Sequence, residues 1–171
     1  MIDFPGCAML PDTGAFAGSD GTMPQDSKRI EVTLQTLLDS VGLAEEISRC
    51  VAVSLGFDED DRLKIGLAVR EGVANAIYYG NQERPEKLVR LVFEVDTDRF
   101  VVRIHDQGCG FSLADVPDPL AQENLLKTSG RGIFIMRAYM DEFEVLCPSE
   151  GGAELVMAKR LPHCGTERPP G

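Results

Sequence analysis

The spacing of hydrophobic residues changes along this chain, and each change marks an element. Arg29-Ile-Glu-Val-Thr-Leu34 alternates in the period-two manner of a strand. From about Ser40, Ala44, Ile47, Val51 and Leu55 recur at helical spacing, and Gly56 supplies a stop. Asp58 to Asp61 offer N-cap residues for a second helix, Asp61 to Tyr79, and their charge suits the positive end of a helix dipole. Gly80-Asn81 and Pro85 then break the chain. Leu88 to Val95 and Arg99 to His105 read as two strands around the turn Asp96-Thr-Asp98, with Phe100, Val102 and Ile104 on one face. Phe111 to Ser129 is longer and irregular, with Pro117 and Pro119. A helix starting near Gly132 carries Ile133, Met136, Ala138 and Met140. Phe143 to Cys147 and Ala153 to Lys159 form a last strand pair around Pro148-Ser-Glu-Gly-Gly152. The order predicts an α/β two-layer sandwich: a mostly antiparallel sheet with helices on one face.

Residues 1–27 are rich in Gly, Pro, Asp, Ser and Thr without sustained periodicity, and read as a mobile arm. Residues 162–171 read as a flexible tail, which leaves one domain over residues 28–161. Hydrophobic residues make up 43% of the chain, enough for a core at this length. The net charge of −11 argues against nonspecific binding to nucleic acid or an anionic membrane. No apolar stretch reaches the roughly 18 residues of a membrane span. Cys7, Cys50, Cys109, Cys147 and Cys164 are scattered and contain no C-x-x-C pair. That pattern points to a reducing, cytoplasmic setting rather than to a disulfide framework or a zinc site.

Three short motifs carry the candidate chemistry. Glu71 and Asn75 stand four residues apart, so a helix stacks them on one face. An Asn oxygen is a suitable hard ligand for magnesium, and a Glu one turn earlier can take a proton from a hydroxyl or a water. Their neighbours Ala68, Val69, Gly72, Val73, Ala74, Ala76 and Ile77 are small or apolar, so the two polar groups need partners or a ligand unless they face water. Asp106 follows the second central strand, with Gly108 and Gly110 after it. A carboxylate there can accept from the exocyclic amine of adenine, while the glycines let backbone approach a flat base. Taken alone it is also an ordinary Asp-Gly turn. Ser129-Gly130-Arg131-Gly132 opens the apolar run Ile133-Phe-Ile-Met136, and a glycine turn at a helix start exposes amides that bind phosphate. Lys127 or Arg131 could add charge to a phosphate, or Arg131 could reach a partner protein. The segment Phe111 to Ser129 joins the last two motifs and has the length and composition of a lid. His105 reads as structural, and Cys109 lies inside the glycine motif.

In this order, the three motifs resemble the boxes of the GHKL ATPase superfamily, whose ATP-binding domain has the Bergerat fold. Glu71 to Asn75 matches its first box, Asp106 to Gly110 its second and Ser129 to Gly132 its third. Asn75-Ala-Ile-Tyr-Tyr-Gly-Asn81 and Gly130-Arg-Gly-Ile-Phe-Ile-Met-Arg137, followed by Met140-Asp-Glu142, are most similar to the serine-protein kinases that act as bacterial anti-sigma factors. The resemblance covers residues 28–161. It implies ATP and Mg2+ as cofactors, Asn75 as magnesium ligand, and Glu71 as general base or water-positioning group. It also implies Asp106 as the adenine-binding residue beside Gly108 and Gly110, with Gly130, Arg131 and Gly132 at the phosphate turn. The implied reaction is phosphate transfer to a Ser or Thr of a STAS-domain anti-anti-sigma protein, which frees the kinase to hold a sigma factor. Family members also form homodimers. Many relatives carry His where this chain has Tyr79. A competing reading is an ATP-dependent binding protein without phosphotransfer. A sensor histidine kinase fragment would need a helical segment bearing the accepting His, whereas the histidines here are His105, at a strand end, and His163, in the tail.

Overall fold

The computed structural model describes residues 28–108, 131–149 and 151–162. Along these the elements are β1 (Arg29–Gln35), α1 (Asp39–Ser54), α2 (Glu59–Asn75), a π-helical turn (Ala76–Gly80), β2 (Leu88–Asp96), β3 (Arg99–His105), α3 (Arg131–Tyr139), β4 (Glu142–Leu146) and β5 (Glu154–Arg160). The strands form one sheet in the order β1-β2-β3-β5-β4, and every pairing in it is antiparallel. The expected sandwich is thus the observed one. The expected arm, and the expected tail apart from Pro162, lie outside the described residues, as does the segment expected to be a lid.

Alternation in the strands decides which face meets the helices. Leu91, Phe93, Phe100, Val102, Ile104 and Met157 point to the helix side and are fully buried. Phe100 lies at their centre, 5.9 Å from Phe93 in a stacked arrangement and 6.0 Å from Phe57 in a tilted one. The helices answer with small residues: Ala44 and Ala52 on α1, Ala68, Gly72 and Val73 on α2. The open face is built differently. Arg103 stands between Val92 and Val156 in the strand register. It reaches Glu94 at 3.3 Å and Glu154 at 3.5 Å, so its stem lies over β-branched neighbours while its charge is paired.

Helix boundaries follow local chemistry where local chemistry is strong. α1 ends in a Schellman motif: Phe57 N–H donates to the Ala52 carbonyl and Gly56 N–H to the Val53 carbonyl. Gly56 occupies the required left-handed position with φ +83°. α2 starts with an N-cap in which the Asp58 carboxylate accepts from the Asp61 amide at 2.8 Å. The helix starts at Glu59, two residues before the expected Asp61, because the cap is Asp58 rather than a later Asp.

The second helix was expected to run unbroken to Tyr79, and it does not. α-Helical geometry stops at Asn75 and a π turn follows. In it the Asn81 amide donates five residues back, to the Ala76 carbonyl, at 2.7 Å. One extra residue is thereby accommodated in the turn, a distortion found often at functional sites. Far from this turn, Lys159 of β5 ties three elements together. Its ammonium donates to the Tyr139 carbonyl at 3.2 Å and pairs with Asp61 at 3.2 Å and Asp141 at 3.8 Å. A cation thus meets the negative end of α3 and the acidic start of α2 at one point.

Candidate functional site

The C-terminal end of α2 gathers all three motifs. Glu71 and Asn75 lie one turn apart on it and are both half-buried. Among the described residues neither side chain takes part in a hydrogen bond or ion pair. Gly132, the second residue of α3, sits directly on them. A Cβ there would lie 2.8 Å from Glu71 Oε2 and 3.5 Å from Asn75 Nδ2. The third motif therefore reaches the first by backbone alone, with the α3 amides opening beside a carboxylate and a carboxamide. Gly72, between the two polar residues, faces the other way. A Cβ on it would come 2.6 Å from Ile104 Cδ1 and 2.8 Å from Leu155 Cδ2, so glycine lets α2 lie close on β3 and β5.

The second motif meets the same helix one step further along. Asp106 follows β3 and is 4% exposed. Its Oδ1 accepts from the Gly108 amide at 2.7 Å and from the Ala153 amide at 3.2 Å. Its own amide donates to the Ala153 carbonyl at 3.0 Å. Among the described residues no hydrogen bond occupies Oδ2. One oxygen is thus fixed by backbone and the other is left to act as an acceptor. Gly80 closes the π turn against this carboxylate, and a Cβ on Gly80 would overlap it. Gly108 in turn lies against the Gly80 carbonyl, where any side chain would clash. Gly152, at φ +82°, passes equally close to the Asp106 carbonyl.

The distance between the two contact points is informative. Gly132 touches α2 at Glu71, and Asp106 touches the π turn that continues it at Gly80. Nine residues of helical rise separate them, roughly 13 Å.

Sequence reasoning placed Glu71, Asn75, Asp106, Gly108, Arg131 and Gly132, and the structure brings these elements to one end of α2. Arg131 opens α3 and is exposed. Gly110, Gly130, Lys127 and Cys109 lie outside the described residues. His105 faces Gly151, with Nε2 3.3 Å from its carbonyl oxygen, which agrees with a structural role. Three contributors went unseen. Gly152 read only as the end of a turn and Ala153 as the start of a strand, although both lie against Asp106. Asn81 read as a helix breaker with Gly80 and as the last residue of the subgroup motif, with no role of its own. It is wholly buried: Nδ2 donates to Thr36 Oγ1 at 2.9 Å and to the Leu88 carbonyl at 3.1 Å, and Oδ1 accepts from the Gln107 amide at 2.8 Å. A polar residue after a helix breaker is the one available signal, and it is a weak one.

No helix among the described residues is long and apolar enough to cross a membrane. Comparison with known proteins agrees with the geometry. The family model for the histidine kinase-like ATPase domain matches residues 34–159. The anti-sigma F factor of Clostridium beijerinckii is 31% identical over 104 residues, covering 60% of this chain and 73% of that protein. That of Halalkalibacterium halodurans is 33% identical over 104 residues, covering 60% and 71%. Among solved structures, one of the RsbU and RsbW domains of a Mycobacterium tuberculosis protein aligns with a TM-score of 0.52 at 16% identity, which shows a shared fold. The alignment covers 78% of this chain and 32% of that one. By motif order, site geometry and these matches, the chain belongs to the histidine kinase-like ATPase family of the GHKL superfamily, in its anti-sigma factor subgroup.

Proposed function

We propose that this chain is an ATP-binding anti-sigma regulatory factor, and a serine/threonine-protein kinase toward a STAS-domain anti-anti-sigma antagonist, in a partner-switching system. The observation that carries the reading is the pair of contacts on α2. Gly132 and the α3 amides stand at Glu71, and Asp106 stands at Gly80. The intervening span of roughly 13 Å suits a nucleoside triphosphate laid along the helix, base at one end and terminal phosphate at the other. The named relatives are anti-sigma F factors, which supports a sigma factor as the partner held.

In this reading Asp106 accepts from the adenine amine through Oδ2 while Oδ1 stays fixed on the Gly108 and Ala153 amides. Gly108 keeps the floor of the base site free of side chains. The first amides of α3, with Gly130 and Arg131 beside Gly132, receive phosphate oxygens. Asn75 offers a carboxamide oxygen to Mg2+, and Gly132, lacking a Cβ, lets the start of α3 come up against Glu71 and Asn75 without a side chain between them. Bound Mg2+ would neutralise charge on the terminal phosphates. Glu71, one turn from Asn75, takes the proton of the incoming Ser or Thr hydroxyl, or orients it for in-line attack. The γ-phosphoryl group passes to that oxygen and ADP leaves. The domain spans residues 28–161, acts in the cytoplasm, and is able to pair as a homodimer.

A tagged pull-down from the native cell, in Mg-ATP and in Mg-ADP with phosphosite mass spectrometry, tests this. The expected catch is a small STAS protein phosphorylated on Ser or Thr, together with a sigma factor. Unrelated partners without phosphorylation would leave an ATP-dependent binding protein and remove the sigma-factor assignment.

A further inference from the structure

Asn81 cannot touch a nucleotide, because its side chain is completely buried. It nevertheless lies behind the base site on every side. Its Oδ1 accepts from Gln107 N–H, the amide directly after Asp106, at 2.8 Å. Its Nδ2 donates to Leu88 at the start of β2 and to Thr36 just past β1. Thr36 Oγ1 passes its own proton to the Lys87 carbonyl at 2.7 Å. Gln107 Oε1 closes the ring by accepting from the Leu88 amide at 2.8 Å. Both Nδ2 hydrogens and the carbonyl oxygen are therefore engaged, and no buried side-chain polar atom among the described residues lacks a partner.

The π turn is what makes this arrangement fit. Its wide bond from Asn81 N–H to Ala76 brings Gly80 against the Asp106 carboxylate, while the next side chain turns inward. Gly80 and Gly108 then meet backbone to backbone. The Gly108 amide holds Asp106 Oδ1, and Gly108 is itself placed through the Gln107 peptide before it. The amide after Asp106 is held from one direction by Asn81, and the Asp106 amide is held from the other by Ala153.

We infer that Asn81 is the positioning residue of the base site: its carboxamide fixes the Asp106–Gln107 peptide, and so sets selectivity for a base bearing an exocyclic amine. The inference rests on the ATP-binding reading above. A ligand group that pairs with a fixed acceptor discriminates only while that acceptor stays in place. Loss of Asn81 releases the peptide, and Oδ2 then samples orientations that serve an amine less well. Phosphate contacts at α3 are on the other end of the site and are unaffected.

The test compares Mg-ATP with the Mg complex of purine riboside triphosphate, which lacks the exocyclic amine, by calorimetry on the full chain. Thermal unfolding is recorded alongside. Wild type is expected to favour ATP by about 10- to 100-fold, the effect of one hydrogen bond to a carboxylate. In Asn81→Ala the preference should fall to about 3-fold or less, while affinity for purine riboside triphosphate moves by no more than about 3-fold. A folded Asn81→Ala that keeps the wild-type preference overturns the proposal and leaves Asn81 a contributor to stability only. Should Asn81→Ala fail to fold, Asn81→Ser, whose shorter side chain does not reach the Gln107 amide, reads the same ratio, and an unchanged ratio there overturns the proposal equally. A wild type with no preference for ATP contradicts the adenine assignment itself, which is a different failure from a selective wild type with a selective variant.

Discussion

The two ends of α2 are built by different rules. Its start is local: Asp58 caps it, Glu59, Asp60 and Asp61 fill the first turn, and Lys64 pairs with Asp60 one turn on. Its end has no cap, stop or charge complement. It runs into a π turn held by the segment after β3, through Asp106, Gln107 and Gly108, while α3 lies on the helix just before it at Glu71 and Asn75. The two glycines on the helix show the contrast at atomic scale. A Cβ on Gly66 would meet the Arg49 stem, 2.8 Å from Cγ and 3.0 Å from Cδ, which is half exposed and able to move. A Cβ on Gly72 would meet Ile104 and Leu155, which are packed in the core. A helix end that must admit a ligand cannot be closed by its own capping chemistry, so the tertiary structure holds it instead.

Substitutions at these glycines and caps separate the two regimes. The largest effect should come from Gly132→Ala. Its methyl group displaces the end of the Glu71 side chain, so phosphate transfer should drop by about 100-fold, the effect of a misplacement near 1 Å. Stability should hold or rise by up to about 1 kcal/mol, because alanine favours the helix. Transfer rate and unfolding midpoint measured on one preparation would show both. Next comes Gly72→Ala, which should lose about 1–2 kcal/mol on chemical denaturation, the overpacking term exceeding the propensity gain. Asp58→Ala at the other end should cost about 1 kcal/mol, the value of an N-cap, and leave nucleotide affinity unchanged. Smallest is Gly66→Ala, within about 0.5 kcal/mol of wild type, since Arg49 swings aside and helix propensity compensates. Equal losses at Gly66 and Gly72 would erase the distinction between the two ends.

The same division explains what could be read from the sequence. Local signals were sufficient for β1, for the β2–β3 hairpin, for the Gly56 stop and for the acidic start of α2, because each lies within a few residues of its cause. The motif residues were legible because glycines and carboxylates at those spacings have few other uses in combination. The π turn was not, since Ala76 to Tyr79 continues the helical pattern and the Asp106 carboxylate behind Gly80 is what gives the turn a reason. Asn81 meets Thr36 and Gln107, partners 45 and 26 residues away, and no periodicity carries that information. Lys159 was equally opaque: a charged residue near the end of a strand reads as surface, yet it is 9% exposed between α2 and α3.

The central claim is that the C-terminal end of α2 performs chemistry as well as binding, and Glu71→Gln tests it most directly. Mg-ATP affinity and single-turnover phosphate transfer to the captured antagonist would be measured on wild type and variant together. The account predicts affinity within about 3-fold of wild type and transfer lower by about 100- to 10,000-fold, the range for a lost general base. Transfer at the wild-type rate in Glu71→Gln, or a wild type that binds ATP and transfers no phosphate, would contradict it.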